Sequence, residues 1–263
     1  MKPASKELRR SCALVTGASS GIGAATAEAL AEAGMDLILV ARREERLKFM
    51  QNDLSNRFSV RVNVRALDIR SADAVAEFAK TADLRAVDVL VNNAGLAKGT
   101  DPMQSGNIGE WEQMIDTNIK GLLYLTRKVL PGMIESGRGH IVNLGSVAGR
   151  WVYPGGGVYC ATKFAVRALS EGLRMDLLGT PIRVTNIEPG MVETEFSQVR
   201  FGSKEKAEAV YRGMRPLYPQ DIAETILWCL TRPPHVNVQE LVLFPTDQAA
   251  VHLVHRESPL GRA

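Results

Sequence analysis

The sequence predicts an α/β fold, a seven-stranded parallel sheet with helices on both faces. Three observations carry that prediction. Short apolar runs recur along the chain, helical stretches separate most of them, and such alternation builds parallel strands joined by crossover helices. The length of 263 residues suits one large domain, and no internal repeat, low-complexity tract or Pro/Ser-rich linker divides it, so residues 1–263 read as a single unit.

The first run, CALVT at 12–16, leads through TGASSGIG into an Ala-rich helix over 22–33 that Gly34 closes. DLILVA (36–41) precedes a helix over 44–56, VRVNVRALD (60–68) one over 72–81, and VDVLVNN (87–93) a long one over 110–135. HIVNLGS (140–146) is followed by a helix over 158–178, and IRVTNIEP (182–189) by a polar segment. ELVLFP (240–245) comes after a helix over 219–231. The runs are apolar without strict alternation, the pattern of strands mostly buried on both faces. The segment 191–218 carries one short helical pattern, near 203–213. It leaves a strand end, and ligands of open α/β sheets bind beyond the carboxyl ends of the strands, so it is placed to act as a substrate lid. Residues 246–263 form a C-terminal tail.

Composition narrows the function. Thirty-two basic against twenty-nine acidic residues give a net charge of +3, too small and dispersed for a nucleic-acid partner. Cys12, Cys160 and Cys229 are odd in number and lack metal-ligand spacing, and the four histidines form no HExxH or paired arrangement, so no metal site is expected. The basic opening MKPASKELRR meets Gly17, Ser19, Ser20 and Gly21 before an apolar signal region develops, and no run approaches transmembrane length. A cytoplasmic enzyme working on a small molecule, with no membrane partner, is the expectation.

In GVYCATKFAV, Tyr159 and Lys163 stand four residues apart and share a helix face. A half-buried tyrosine beside a snorkelling lysine would look the same, and so would an acid–base pair in which the cation favours the ionised phenol. The turn TGASSGIG lies between an apolar strand and an Ala-rich helix, the setting of a phosphate-binding loop. Gly17 permits its turn, Gly21 lets backbone approach a pyrophosphate, Gly23 lets the helix pack closely, and Ser19, Ser20 and Ile22 complete it. Arg42 and Arg43 end the second strand where a ribose 2′-hydroxyl would call for a carboxylate, which favours NADP over NAD. Glu44 and Glu45 offer a second account of two cations at a helix start.

TGASSGIG, NNAG at 92–95, Asn118 in DTNIKG, Ser146 in NLGSVAG, YCATK at 159–163 and the PG at 189–190 occur in the order and spacing of the short-chain dehydrogenase/reductase family, and the chain resembles that family over nearly its whole length. The resemblance implies a single-domain Rossmann fold with a doubly wound sheet, NADP(H) as cofactor and a homotetramer. It implies a catalytic set of Asn118, Ser146, Tyr159 and Lys163, in which Asn118 holds a water linking Lys163 to solvent and Lys163 also binds the nicotinamide ribose. By the same resemblance Asn92, Ala94 and Gly95 line the cofactor and Asp68 and Ile69 touch the adenine. Pro189, Gly190, Val192 and Thr194 flank the nicotinamide, with Thr194 bonding its carboxamide. The chemistry is consistent with these roles, because a carbonyl receiving hydride needs a positioned proton donor and a second donor such as Ser146 to its oxygen, although a serine at that position would equally serve to cap the segment that follows.

VNNAGLAKG, GTPIRVTNIEPGMVETEFSQVRF and the ending VNVQELVLFPTDQ resemble the NADP-dependent 3-hydroxy acid dehydrogenase subgroup, which implies serine, allo-threonine or a related aldehyde or keto acid as substrate. Related enzymes reduce sulfoacetaldehyde. A reductase for a larger acyl or polycyclic ketone and a non-catalytic NADP-binding regulator are the competing readings. Arg150 in SVAGRWVY and Arg200 in SQVRF are the candidates for binding an acid group of a small substrate beside Ser146 and Tyr159.

Overall fold

The computed structural model describes residues 8–257; the opening residues 1–7 and the end of the tail, 258–263, lie outside them. Strands β1 (Cys12–Thr16), β2 (Asp36–Ala41), β3 (Val62–Ala66), β4 (Val87–Asn92), β5 (Gly139–Leu144), β6 (Ile182–Pro189) and β7 (Glu240–Leu243) form one parallel sheet in the order β3-β2-β1-β4-β5-β6-β7. The order reverses between β1 and β4, which opens a crevice at the carboxyl ends of those two strands.

The strands bury both faces because successive residues feed different cores. Ala13 and Val15 of β1, and Val89 and Val91 of β4, pack with α1 (Gly21–Glu32), α2 (Glu44–Phe58) and α9 (Pro219–Leu230). Leu14 and Leu90 pack on the other side with α3 (Ala72–Thr81) and α5 (Leu122–Ser136). The two edge strands are the exceptions that a mostly buried sheet leaves room for. In β3 only Val62 is buried, and no residue of β7 is, since an edge strand lacks a neighbour on one side.

Three further stretches differ from the sequence reading. The helix expected over 110–135 is broken into α4 (Ile108–Ile115) and α5 by one wider π-helical turn, Asp116–Gly121. α6 (Gly157–Asp176) is the single helix the spacing predicts. The lid contains two helices, α7 (Glu195–Phe201) and α8 (Lys204–Tyr211). Thr194 starts α7, its hydroxyl accepting from Phe196 N at 3.2 Å, and Gly202 ends it at φ +66°. The tail folds into a hairpin, β8 (Gln248–Ala250) with β9 (Leu253–Val254), and ties down the lid. Gln248 Oε1 accepts from Met191 N at 2.8 Å and Asp247 from Arg215 N at 2.7 Å. No helix among the described residues is long and apolar enough to cross a membrane.

Candidate active site

A cleft of about 510 Å³ runs from the Gly-rich loop along the ends of β1, β4, β5 and β6 and under the lid. Its first wall is the loop. Gly17 has φ +64°, and a Cβ there would meet Asn93 Nδ2 at 2.8 Å and Ala94 Cα at 2.9 Å. Across the cleft a Cβ on Gly21 would meet Thr194 at 3.3 Å. Ser19, Ser20 and Ile22 line the same wall. Gly23 fills its predicted close-packing role but does not line the cleft. A Cβ there would lie 2.4 Å from both Asn93 Nδ2 and Gly17 O, so its smallness seats the loop on Asn93, behind the cleft surface.

Asn92 is a second correction. Strand alternation turns it away from the cleft into the helix layer, where Nδ2 donates to Thr126 Oγ1 at 3.0 Å and Asn143 Oδ1 at 2.9 Å. Asn93 is the residue that faces the site, with Ala94 and Gly95, and its Nδ2 donates to Thr16 O at 2.8 Å. Asp68 and Ile69 line the opposite rim, Asp68 paired with Arg70 at 2.9 Å. Pro189, Gly190, Val192 and Thr194 lie together along the lid side.

At the inner end Ser146, Tyr159 and Lys163 meet. Ser146 leaves β5 in extended conformation, and its Oγ accepts from Ala148 N at 3.1 Å close to the Tyr159 phenol. Tyr159 and Lys163 share one face of α6, with Lys163 Nζ 5.9 Å from the phenol ring centroid and donating to Leu144 O at 2.7 Å. Both are buried, at 8% and 7% exposure, which rules out the snorkelling alternative. Burial lowers the Lys163 ammonium to about 8. Burial also raises the Tyr159 phenol, and the groups opposing that are Ser146 and Arg200. The lowering expected from Lys163 is not among them: its ammonium donates to Leu144 O, and desolvation dominates the phenol.

Asn118 stands behind this surface in the π-helical turn. Its side chain closes a pair of bonds with the Leu96 backbone, Nδ2 to O and N to Oδ1, both 2.9 Å, and Nδ2 also reaches Thr162 Oγ1 at 3.0 Å. It thereby fixes the strand end carrying Gly95 to helix α6. A Cβ on Gly95 would sit 3.3 Å from Asn118 Oδ1, a tight contact, and 3.6 Å from Lys163 Nζ, an ordinary one. π-helical turns are frequent at functional positions.

The two candidate substrate arginines part company. Arg150 lies outside the cleft lining and pairs with buried Glu188 and with Glu240. Arg167 Nε reaches Glu240 Oε1 at 3.0 Å, and Asn186 Nδ2 donates to Glu188 Oε1 at 2.7 Å. Burial pushes the Glu188 carboxyl up, and Arg150 opposes it. The partners that claim Arg150 come from β6 and the distant β7, which no local pattern announces.

Arg200, on α7, lines the cleft. Its Nη1 donates to Tyr153 Oη at 2.8 Å, and its guanidinium lies 5.2 Å from the Tyr153 ring centroid, 5.9 Å from Tyr159 and 5.4 Å from Phe201. Its Nε is buried with no partner among the described residues. Its carbonyl accepts from Gly99 N at 3.3 Å, which joins the lid to the loop after β4. Tyr153, Phe196, Tyr211 and Gln248 complete this end, and sequence reasoning assigned none of them.

At the outer end Arg42 and Arg43 both line the cleft, on the strand end next to the Gly-rich loop. Arg42 makes no hydrogen bond or ion pair among the described residues, whereas Arg43 bonds Ser19, Ser20 and Glu195. The residues fit a dinucleotide phosphate: cations at a strand end, flanking hydroxyls, and a loop whose close approaches a Cβ would fill. No cluster of three His, Cys, Asp or Glu side chains able to hold a metal occurs among the described residues.

This fold and site define a nucleotide-dependent oxidoreductase. Residues 11–205 match the family model for short chain dehydrogenase, and the chain belongs to that family. It is 48% identical over 248 residues to the NADP-dependent 3-hydroxy acid dehydrogenase YdfG of Salmonella typhi, covering 92% of this chain and 98% of that protein. It is 50% identical over 240 residues to sulfoacetaldehyde reductase 2 of Chromohalobacter salexigens, covering 90% and 94%. Among solved structures it is similar to the closed form of a serine dehydrogenase complexed with NADP+, with TM-score 0.86, 45% identity, and 94% and 100% of the two chains covered.

Proposed function

We propose that the chain is an NADP(H)-dependent oxidoreductase that interconverts a small anionic hydroxy compound and its aldehyde or ketone, with Tyr159 as the proton donor and acceptor. When bound, NADP(H) supplies or takes the hydride. Gly17, Ser19, Ser20, Gly21 and Ile22 hold its pyrophosphate end, with Arg42 and Arg43 on the 2′-phosphate and Asp68 and Ile69 beside the adenine. Ala94, Gly95, Pro189, Gly190, Val192 and Thr194 hold the nicotinamide end, where Lys163 bonds the ribose. Tyr159 Oη passes its proton to the substrate oxygen in reduction and removes it in oxidation, while Ser146 Oγ donates to the same oxygen and fixes its direction. Lys163 stabilises the phenolate, and Asn118 sets the distance between β4 and α6 on which that geometry depends.

The observation that carries the anionic substrate is Arg200. A buried Nε–H without an acceptor calls for one, and a guanidinium beside the phenol offers its fork to a carboxylate or sulfonate on the carbon next to the reacting one. A two- or three-carbon substrate has too little apolar surface to be oriented otherwise. The test compares Arg200→Ala with the wild type on sulfoacetaldehyde and on propanal. A charge-assisted bond contributes about 1.5–3 kcal/mol, so kcat/KM should fall by roughly one to two decades for the sulfonate alone. Equal losses on both aldehydes would sink the anion clamp.

We infer in addition a cytoplasmic homotetramer. The three cysteines are free, which suits a reducing compartment. Ile115, Leu123 and Phe164 are exposed on the neighbouring helices α4, α5 and α6, and Trp228 and Val242 on α9 and the open edge β7, giving two apolar faces for like subunits. Light scattering of the purified chain reads the assembly directly, and a monomer would refute it.

A further inference from the structure

Glu195 opens helix α7 on the lid side of the cleft, and arginines of another element take both of its oxygens. Oε2 accepts from Arg43 Nη1 at 2.7 Å and Oε1 from Arg46 Nη1 at 2.6 Å. The other donors of Arg43 go to the Gly-rich loop, Nε to Ser19 Oγ at 3.1 Å and Nη2 to Ser20 Oγ at 2.6 Å. These bonds hold the Glu195 carboxyl down to about 2, Arg43 contributing most and Arg46 next, so it is ionised at neutral pH. A carboxylate and a phosphate edge present the same pair of acceptors to a guanidinium fork.

The cation assigned to the cofactor's 2′-phosphate is therefore engaged by an anion of the chain itself, across 152 residues of sequence. We propose that Glu195 is an internal competitor for the 2′-phosphate: it ties the lid to Arg43 and Arg46, and it gives up Arg43 when that phosphate binds. This rests on the NADP reading above. A ligand lacking the phosphate leaves the pair intact, so Glu195 moderates affinity for the phosphorylated cofactor alone. Arg42, which makes no hydrogen bond or ion pair among the described residues, remains available to the phosphate throughout. Both members of the Arg43–Glu195 pair are partly exposed, 43% and 38%, so the exchange takes place in a screened setting and its magnitude is modest.

The experiment uses the full chain and two probes that carry only the adenosine half of the cofactor, 2′,5′-ADP and ADP, titrated by calorimetry. Glu195→Gln keeps the shape and removes the charge. The dissociation constant for 2′,5′-ADP should fall about fivefold, the scale of one exposed ion pair, while that for ADP stays within about twofold. In an Arg43→Gln background the same Glu195→Gln change should no longer affect 2′,5′-ADP. An unchanged or weaker 2′,5′-ADP affinity would overturn the proposal, as would equal tightening of both probes or a full effect without Arg43. Wild-type protein that does not prefer 2′,5′-ADP to ADP would overturn the NADP reading, and the competition with it. Circular dichroism and a thermal transition check that each variant is folded.

Discussion

At the inner end of the cleft, Tyr159 and Lys163 are sealed into the surface of α6 against β5, and what sets their charge states is the water they have lost. At the outer end, Arg43, Arg46 and Glu195 stand half in solvent, and what sets the charge of Glu195 is the pair of arginines it has found. The inner groups are shifted far and have few polar contacts; Arg43, Arg46 and Glu195 are extensively bonded, and the two arginines hold the Glu195 carboxyl down. One cleft thus combines a low-dielectric end, where a proton can be moved between tuned groups, with a wet end, where a highly charged ligand can be recognised and released.

The contrast predicts its own failures. The largest effect belongs to the inner end. Tyr159→Phe should lower kcat by about three decades while leaving the NADPH dissociation constant within about twofold, because it deletes one proton and nothing that binds. Near-normal turnover would remove Tyr159 from the chemistry.

Lys163→Met tests whether burial governs that end. Lys163 is held at about 8 against an ordinary 10.5. Below about pH 8 both folded and unfolded chains carry the proton, and the burial penalty, about 3 kcal/mol, weighs fully against folding. Between about 8 and 10.5 the unfolded chain binds more protons, so wild-type stability rises with pH across that window. After loss of the bond to Leu144 O, the methionine variant should be about 2 kcal/mol more stable at pH 7 and no more stable at pH 10.5, as read by thermal unfolding. It should also bind NADPH poorly. A pH-independent difference in stability would mean that the ammonium is solvated.

The outer end should show the opposite dependences. Replacing Arg42 and Arg43 by glutamine should weaken NADPH by one to two decades and NADH by little, as measured by fluorescence titration. The smallest effect is that of salt. Raising it from about 0.05 to 0.5 M should weaken wild-type NADPH binding several-fold while kcat at saturation stays constant, since exposed charges are screened and buried ones are not. A kcat that followed the salt would erase the distinction between the two ends.

The same contrast explains what was legible in the sequence. Seven apolar runs placed the sheet, and TGASSGIG, Ser146 and YCATK placed the Gly-rich loop and the inner site, because those features are local and the fold brings them together at fixed strand ends. The π-helical turn at Asp116–Gly121 was not legible: it changes which carbonyl each amide meets and leaves the helical pattern intact. Asn92 and Asn93 could not be ranked without knowing which face of β4 looks into the crevice. Arg46 and Glu195 were missed because their meaning lies in each other, 149 residues apart. Arg150 was misplaced for the same reason, its loop being visible and its partners not.

Those partners bind the sequence in a way that no single position reveals. Arg150 is 38 residues from Glu188 and 90 from Glu240, and Arg167 closes the group, so two cations and two carboxylates balance beneath the turn that follows Ser146. Taking away any one charge leaves an opposite one stranded, and Glu188, with no exposure, is the most vulnerable. A viable change must therefore come as a matched pair, in segments that share no local pattern. The turn beside the reacting oxygen and the last strand of the sheet are in this sense one heritable character: drift in either is checked by the other, and transplanting the turn into a relative would succeed only if Glu188 and Glu240 travelled with it.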